Sequence, residues 1–252
     1  MITYERRLLI LKEFEEKNTV SVTELAERCH VTPMTIRRDL ALFEKQGLVS
    51  TNYGGAALLN STVLESTFSI RSNQQVEIKE RIGKAAASFI QDYDTLFIDT
   101  GTTVLQILKY IENKHLTIIT TSWPVTGYVG HNPKIKLILA PGEYREDMSG
   151  VDGAMTAEFI RKFRVNKAFL GALACSPEYG ITAVESGEST IKRLMWENAE
   201  ESFLLVDDSK VGSHFMMKYN EISDFSHIIC NTELDAALQK KLQEKSQDLI
   251  LA

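Results

Sequence analysis

The 252-residue sequence predicts a chain of two unlike parts: an N-terminal all-α part closed by a hairpin wing, and a C-terminal α/β part with a mostly parallel sheet. Three observations predict it. Up to Gly47 the apolar residues recur at helical spacing between recognisable cap residues. From Thr95 onward, seven short apolar runs alternate with helical stretches, the pattern of parallel strands covered on both faces. Charge is also divided unevenly: residues 1–57 hold eight Lys/Arg and eight Asp/Glu, so the formal net charge of -6 arises downstream. The boundaries that follow are a first domain over 1–58, a linker over 59–75 and a second domain over 76–252.

Composition bounds the function. A content of 44% hydrophobic and 25% charged residues is ordinary for a soluble globular chain. Cys29, Cys175 and Cys230 are far apart and follow no metal-binding or CxxC spacing, so neither a disulfide framework nor a zinc site is expected, and no metal or cofactor is called for. The start, MITYERR, carries charges where a signal peptide needs an apolar run, and no stretch approaches the roughly 20 apolar residues of a membrane span. The expectation is a cytoplasmic protein with no membrane partner.

In the first part, Leu8, Leu11 and Phe14 form a helical stripe between the cap candidate Thr3 and the stop signal Asn18. Ser21-Val22-Thr23-Glu24 has the form of a capping box and opens a short second helix running through Cys29. Thr32 can cap a third helix that starts at Pro33 and ends near Gly47. At about 100° per residue, Ile36, Leu40 and Phe43 share its core face. Met34, Arg38, Ala41 and Lys45 fall opposite, flanked by Thr35 and Arg37. The run LVSTNYGGAALL then reads as two short strands about Gly54-Gly55. Two helices joined by a tight turn, the second offering Thr, Met and Arg near its N-terminus, followed by a hairpin, make a winged helix-turn-helix that reads double-stranded DNA. Its DNA-facing set is Thr32, Met34, Thr35, Arg37, Arg38, Lys45, Tyr53, Gly54 and Gly55.

The segment NSTVLESTFSIRSNQQ is polar, with Leu64, Phe68 and Ile70 as isolated docking points, and a helix begins at Val76. The seven strand-like runs are 95–99, 116–120, 135–140, 167–173, 202–207, 227–230 and 248–252. Ligands of an open parallel sheet collect beyond the carboxyl ends of its strands. There stand Asp99-Thr100-Gly101-Thr102-Thr103, before a helix starting near Val104, then Thr121 and Ser122, then Gly142 and Arg145, and finally Asp207, Asp208 and Lys210. Such a mixture suits a phosphorylated polyol, with cations and amides for phosphate and acids and hydroxyls for sugar OH groups. The Asp99 to Thr103 loop reads equally as an ordinary strand-to-helix turn with threonine caps. Glu188 and Lys192, four residues apart, read first as a surface ion pair.

The stretch LAERCHVTPMTIRRDLALFEKQGLVSTNYGGA resembles the N-terminal signature of the DeoR family of bacterial sugar-metabolism regulators, with Thr32 where serine is commoner. The C-terminal half resembles that family's effector domain, a sugar-phosphate sensor related in fold to ribose-5-phosphate isomerases, through IDTGTT, KAFLGA, ESTIKRLM and DDSKVG. The resemblance implies ligand roles for Asp99, Gly101, Thr102, Thr103, Glu188, Lys192 and Lys210. TTS in place of the family's T-N-S, APGEYR in place of G-G-x-x-R and LACSPEYG in place of an acidic A-D-G turn bear on which sugar is bound.

The expected protein is therefore a transcriptional regulator, a repressor of a sugar-utilisation operon, controlled by a phosphorylated sugar. Paired half-sites imply a homodimer or homotetramer. The alternative is a sugar-phosphate isomerase with an accessory DNA-binding domain, using Asp99 or Asp207 as general base. The five histidines make no nucleophile motif, and Trp123, Trp196, Met195, Met216 and Met217 read as core or subunit contacts.

Overall fold

The computed structural model describes residues 6–7, 9–10, 13–14, 17, 19–45, 49–51, 54–58 and 68–252, the side chains of Lys45, Leu58, Ser69 and Ile70 excepted. The chain divides into two compact units, Met1–Ser66 and Thr67–Ala252. Thr3, Leu8, Leu11, Asn18, Gly47, Tyr53 and Leu64 lie outside the described residues.

In the first unit, the described residues between Arg6 and Phe14 are helical, with Ile10 and Phe14 fully buried. A strand that the sequence reading did not anticipate follows, β1 (Thr19–Ser21). Ser21 ends it and caps the helix Val22–Cys29, its hydroxyl accepting from Glu24 N at 3.5 Å. His30 closes that helix in the left-handed region at φ 53. The helix Pro33–Lys45 opens with Thr32 Oγ1 accepting from Thr35 N at 3.3 Å, and buries Ile36, Leu40 and Phe43 as its spacing requires. Strands β2 (Val49–Thr51) and β3 (Gly55–Leu58) form the hairpin, and β1 pairs antiparallel with the other side of β3, Ser21 opposite Gly55.

The second unit starts with a short helix, Phe68–Asn73, inside the segment read as a linker, then the helix Val76–Ala87. Its strands in order are β4 (Thr95–Ile98), β5 (Leu116–Thr120), β6 (Ile135–Leu139), a hairpin of β7 (Glu143–Arg145) and β8 (Gly150–Asp152), β9 (Val165–Gly171), β10 (Ala174–Ser176), β11 (Gly180–Ala183), β12 (Ala199–Leu205), β13 (Met217–Asn220), β14 (His227–Cys230) and β15 (Leu249–Leu251). Seven of them form one parallel sheet in the order β15-β14-β12-β9-β4-β5-β6, each at one of the runs predicted as strands. Alternate residues feed two cores. Phe97, Ala168, Leu170 and Leu204 pack on one face, while Leu96, Ile98, Phe169 and Phe203 pack on the other.

Strand order reverses at β4, whose successors β5 and β6 lie to one side and β9 to the other. The crevice of such a sheet opens at that reversal, beyond the carboxyl ends. The small antiparallel sheet β10-β11-β13 and the β7-β8 hairpin lie outside the main sheet. One expected helix is corrected: Val104–Tyr110 winds as a 3₁₀ helix. Val104 to Leu108 are all buried, and a Cβ at Gly83 would sit 2.5 Å from Gln106 Cβ, so packing against the helix Val76–Ala87 sets the winding.

Candidate functional site

On the helix Pro33–Lys45 the residues predicted to face DNA stand out from the unit. Thr32, Met34, Arg37 and Arg38 are exposed, and Thr35 is half-buried with its hydroxyl 3.0 Å from that of Thr32. Neither arginine makes an ion pair or hydrogen bond with any described residue. The acid beside them is disposed of inwardly. Asp39 is buried and accepts from Arg6 Nε at 2.6 Å and Arg7 Nε at 2.8 Å. Two N-terminal cations thus neutralise a carboxylate that would otherwise oppose phosphate along the same helix. The sequence reading missed this triad, although Asp39 falls beside Ile36, Leu40 and Phe43 on the helical wheel.

The wing residues divide. Gly54 is exposed and its carbonyl accepts from Val22 N at 2.9 Å. Gly55 is buried, and a Cβ there would lie 2.0 Å from Val20 O. Its glycine is required by the approach of β1 to β3, which removes Gly55 from the set offered to DNA. Tyr53 and the Lys45 side chain lie outside the described residues.

At the carboxyl ends of β4 and β9, Asp99 is almost fully buried. Its Oδ2 accepts from Gly171 N at 2.9 Å and from Lys192 Nζ. The lysine also donates to Gly171 O at 2.9 Å and stands 3.5 Å from Glu188 Oε1. Burial depresses the Lys192 ammonium, but Asp99 and Glu188 outweigh it and hold the group above its ordinary value. Tyr219 completes the cluster with its hydroxyl 3.5 Å from Gly171 O, and burial, helped by Glu188 and Asp99, pushes its phenol well up. The pair Glu188 and Lys192 is therefore no surface ion pair. Lys192 points inward because it lies three residues from Ser189 and from Met195, both buried on the same face of the helix Ser186–Glu197.

Around this cluster the chain comes close to itself. A Cβ at Gly101 would meet Gly171 Cα at 3.3 Å, and one at Gly150 would meet Thr100 Cγ2 at 2.4 Å. Thr100, Thr102 and Thr103 are buried. Thr121 and Ser122, each 1% exposed, have hydroxyl oxygens without a hydrogen-bond partner. Orphaned polar atoms at such depth are rare, and they mark positions that a ligand can satisfy.

Two predicted residues have their own partners. Arg145 is held by Asp147 at 2.9 Å, by Asp152 at 3.6 Å and by Glu185, and the hydrogen bonds to Glu185 and Asp147 raise its guanidinium further. Gly142 is exposed, and a Cβ there would lie 2.0 Å from Thr156 Oγ1, so the approach of the helix Ala154–Ile160 requires its glycine. Lys210, at the end of the turn Asp208–Lys210 after β12, is half-exposed and its ammonium pairs with no described residue. Three strand spacings, about 14 Å, separate β12 from β5, so Lys210 and Thr121 stand on opposite sides of the Asp99 cluster. Among the described residues no group of three or more His, Cys, Asp or Glu side chains could hold a metal ion.

Lys79 also escaped the sequence reading. It is buried, donates to Gln74 O at 2.7 Å and to Arg71 O, and burial together with Lys210 and Arg71 pushes its ammonium down to about 8 against the pull of Asp207. Its spacing with Ile82 and Ala86 was the available signal.

Comparison with known proteins places both units. The family model described as "DeoR-like helix-turn-helix domain" matches residues 6–62, and that described as "DeoR C terminal sensor domain" matches residues 74–232. The chain is 34% identical over 215 residues to the glycerol-3-phosphate regulon repressor of Escherichia coli, covering 85% of each chain. It is 36% identical over 211 residues to the lactose phosphotransferase system repressor of Lactococcus lactis, covering 82% of each. Among solved structures, a ribose 5-phosphate isomerase from Methanocaldococcus jannaschii aligns over 55% of each chain with 19% identity and a TM-score of 0.41. The isomerase alternative is overturned by the family matches, which are to regulators. With a helix-turn-helix of this kind before a sensor domain of the same family, the chain belongs to the DeoR family and is a DNA-binding transcriptional regulator rather than an enzyme.

Proposed function

We propose that this regulator represses a sugar-utilisation operon by laying the helix Pro33–Lys45 in the major groove of its operator. A phosphorylated sugar at the carboxyl edge of the parallel sheet alters that grip. The carrying observation is the pair Arg37 and Arg38, exposed and unpartnered among the described residues while Asp39 is turned inward onto Arg6 and Arg7. Free guanidinium groups on a helix whose opposite face is buried are what base-edge and phosphate contacts require.

The effector half rests on the unpartnered hydroxyls of Thr121 and Ser122, which suit sugar OH groups, and on Lys210 with the Thr100 to Thr103 loop, which suit phosphate. The names of two relatives, one for glycerol-3-phosphate and one for a phosphotransferase system, support a phosphorylated ligand. A two-fold symmetric homodimer or homotetramer in the cytoplasm fits a reader of paired half-sites. No helix among the described residues is long and apolar enough to cross a membrane.

A gel shift on the DNA upstream of the gene, repeated with a panel of sugar phosphates, tests both halves. Retardation that at least one sugar phosphate changes is the expected result. Failure to retard the fragment at low salt overturns the DNA reading, and retardation indifferent to every sugar phosphate overturns the effector reading.

A further inference from the structure

The segment Phe68–Gln75 is the part of the sensor unit to which the DNA-binding unit is joined in sequence, and it is fastened at both ends. At its start, Phe68 N donates to Asp147 O at 3.0 Å, and Arg71 Nη2 donates to the same carbonyl at 3.3 Å. Phe68 itself is buried among residues of the Val76–Ala87 side of the sheet. At its end, the buried Lys79 ammonium donates to Arg71 O and to Gln74 O, gathering the carbonyls with which the short helix terminates.

Both fastenings lie next to the effector edge. Asp147 is the carboxylate that grips Arg145 through two hydrogen bonds, at 3.1 and 2.9 Å, on the hairpin whose residue Gly150 bridges Ser122. Lys79 is near enough to Asp207 and Lys210 to feel both charges. Three carboxylates share the one guanidinium of Arg145. An anion arriving at this edge attracts Arg145 and Lys210 and repels Asp147 and Asp207, so it acts on the groups to which each end of the segment is tied.

We propose that Phe68–Gln75 is the element that carries effector occupancy to the DNA-binding unit, with Lys79 as the positioning residue that sets its far end. This rests on the effector reading above. Loss of Lys79 should leave ligand binding and DNA binding each in place and remove the linkage between them, because linkage needs an element whose arrangement both sites bias.

The test uses the full chain, wild type and Lys79→Met, on its upstream DNA, with inorganic phosphate, glycerol 3-phosphate and ribose 5-phosphate as probes. Trypsin cleavage after Arg71 is followed in parallel. In Lys79→Met the segment should be cut about tenfold faster, as expected of a locally released element. The probe that changes wild-type operator affinity should then change the variant's by less than about twofold, with probe affinity by calorimetry retained. Phe68→Ala, which frees the opposite end, should behave alike and serves if Lys79→Met does not fold. Unchanged cleavage, or a full probe response with the segment released, overturns the proposal. A wild type that binds DNA and ignores every probe overturns the effector reading itself, and this inference with it.

Discussion

Lys192 and Asp99 meet beyond the ends of β4 and β9 with side chains only 3% and 2% exposed. Two opposite charges at this depth are tolerable only together. Lys192→Met should therefore leave Asp99 as an uncompensated buried charge and destabilise the sensor unit by about 3–5 kcal/mol. Adding Asp99→Asn should recover part of that loss. Urea unfolding of the single and double variants measures it, and a single variant as stable as the wild type would show that the pair contributes little.

Thr121 and Ser122 lead to the opposite expectation. Their hydroxyls are buried without partners, so Thr121→Val and Ser122→Ala remove a desolvated polar atom that gains nothing in its place. Stability should hold or rise by about 1 kcal/mol or more, while the sugar-phosphate response of operator binding weakens. A loss of stability with an unchanged response would assign the hydroxyls to the fold instead.

For the DNA face, Arg38→Ala should cost about 1–3 kcal/mol of operator affinity if the residue reads a base. If it contacts only phosphate, binding should weaken equally on all sequences and the salt slope should fall by about 1. Competition gel shifts at several salt concentrations separate the two. Unaltered affinity would mean that another face of the helix enters the groove.

Asp39→Ala tests the inward triad. Removing the carboxylate leaves Arg6, itself buried, without its partner, and should destabilise the DNA-binding unit by about 3–5 kcal/mol. Thermal unfolding followed alongside operator binding should show both declining together.

Lys79 makes a pH prediction. Its folded value of about 8 lies below the roughly 10.4 of an unfolded lysine. Between those values the unfolded chain carries a proton that the native chain does not, so stability should rise with pH across the window. Below about pH 8 both states are protonated and the penalty is constant. The Lys79→Met chain should lack the rise, as urea midpoints at pH 8 and 10 would reveal.

Much of this architecture is legible in the sequence because its main sheet is buried on both faces. TLFI, LTIIT and HIIC bury consecutive apolar residues, Leu96 to Ile98, Ile118 with Ile119, and Ile228 to Cys230, and such runs stand out between polar turns. The strand TVS and the hairpin strands EYR and GVD escape the same reading. They are three residues long and partly exposed, too short for an alternation to show, and TVS finds its partner only at Gly55–Ala57. The site divides in the same way. Asp99 and Lys192 are visible through position and motif, whereas Tyr219 reaches Gly171 from 48 residues away in sequence, on a strand of the small sheet. Gly55 and Gly142 were legible as glycines but not as to cause, since only coordinates reveal the Val20 carbonyl or the Thr156 hydroxyl that excludes a side chain.

The pairing of Thr19–Ser21 with the β2-β3 hairpin ties the wing to the residue that caps the next helix. On the DNA reading proposed above, such a wing arrives at a duplex with its described strands already paired. Its association then bears little of the ordering entropy that a loose loop would lose at the groove. Discrimination among sites should consequently show up as differences in how long the complex lasts rather than how fast it forms.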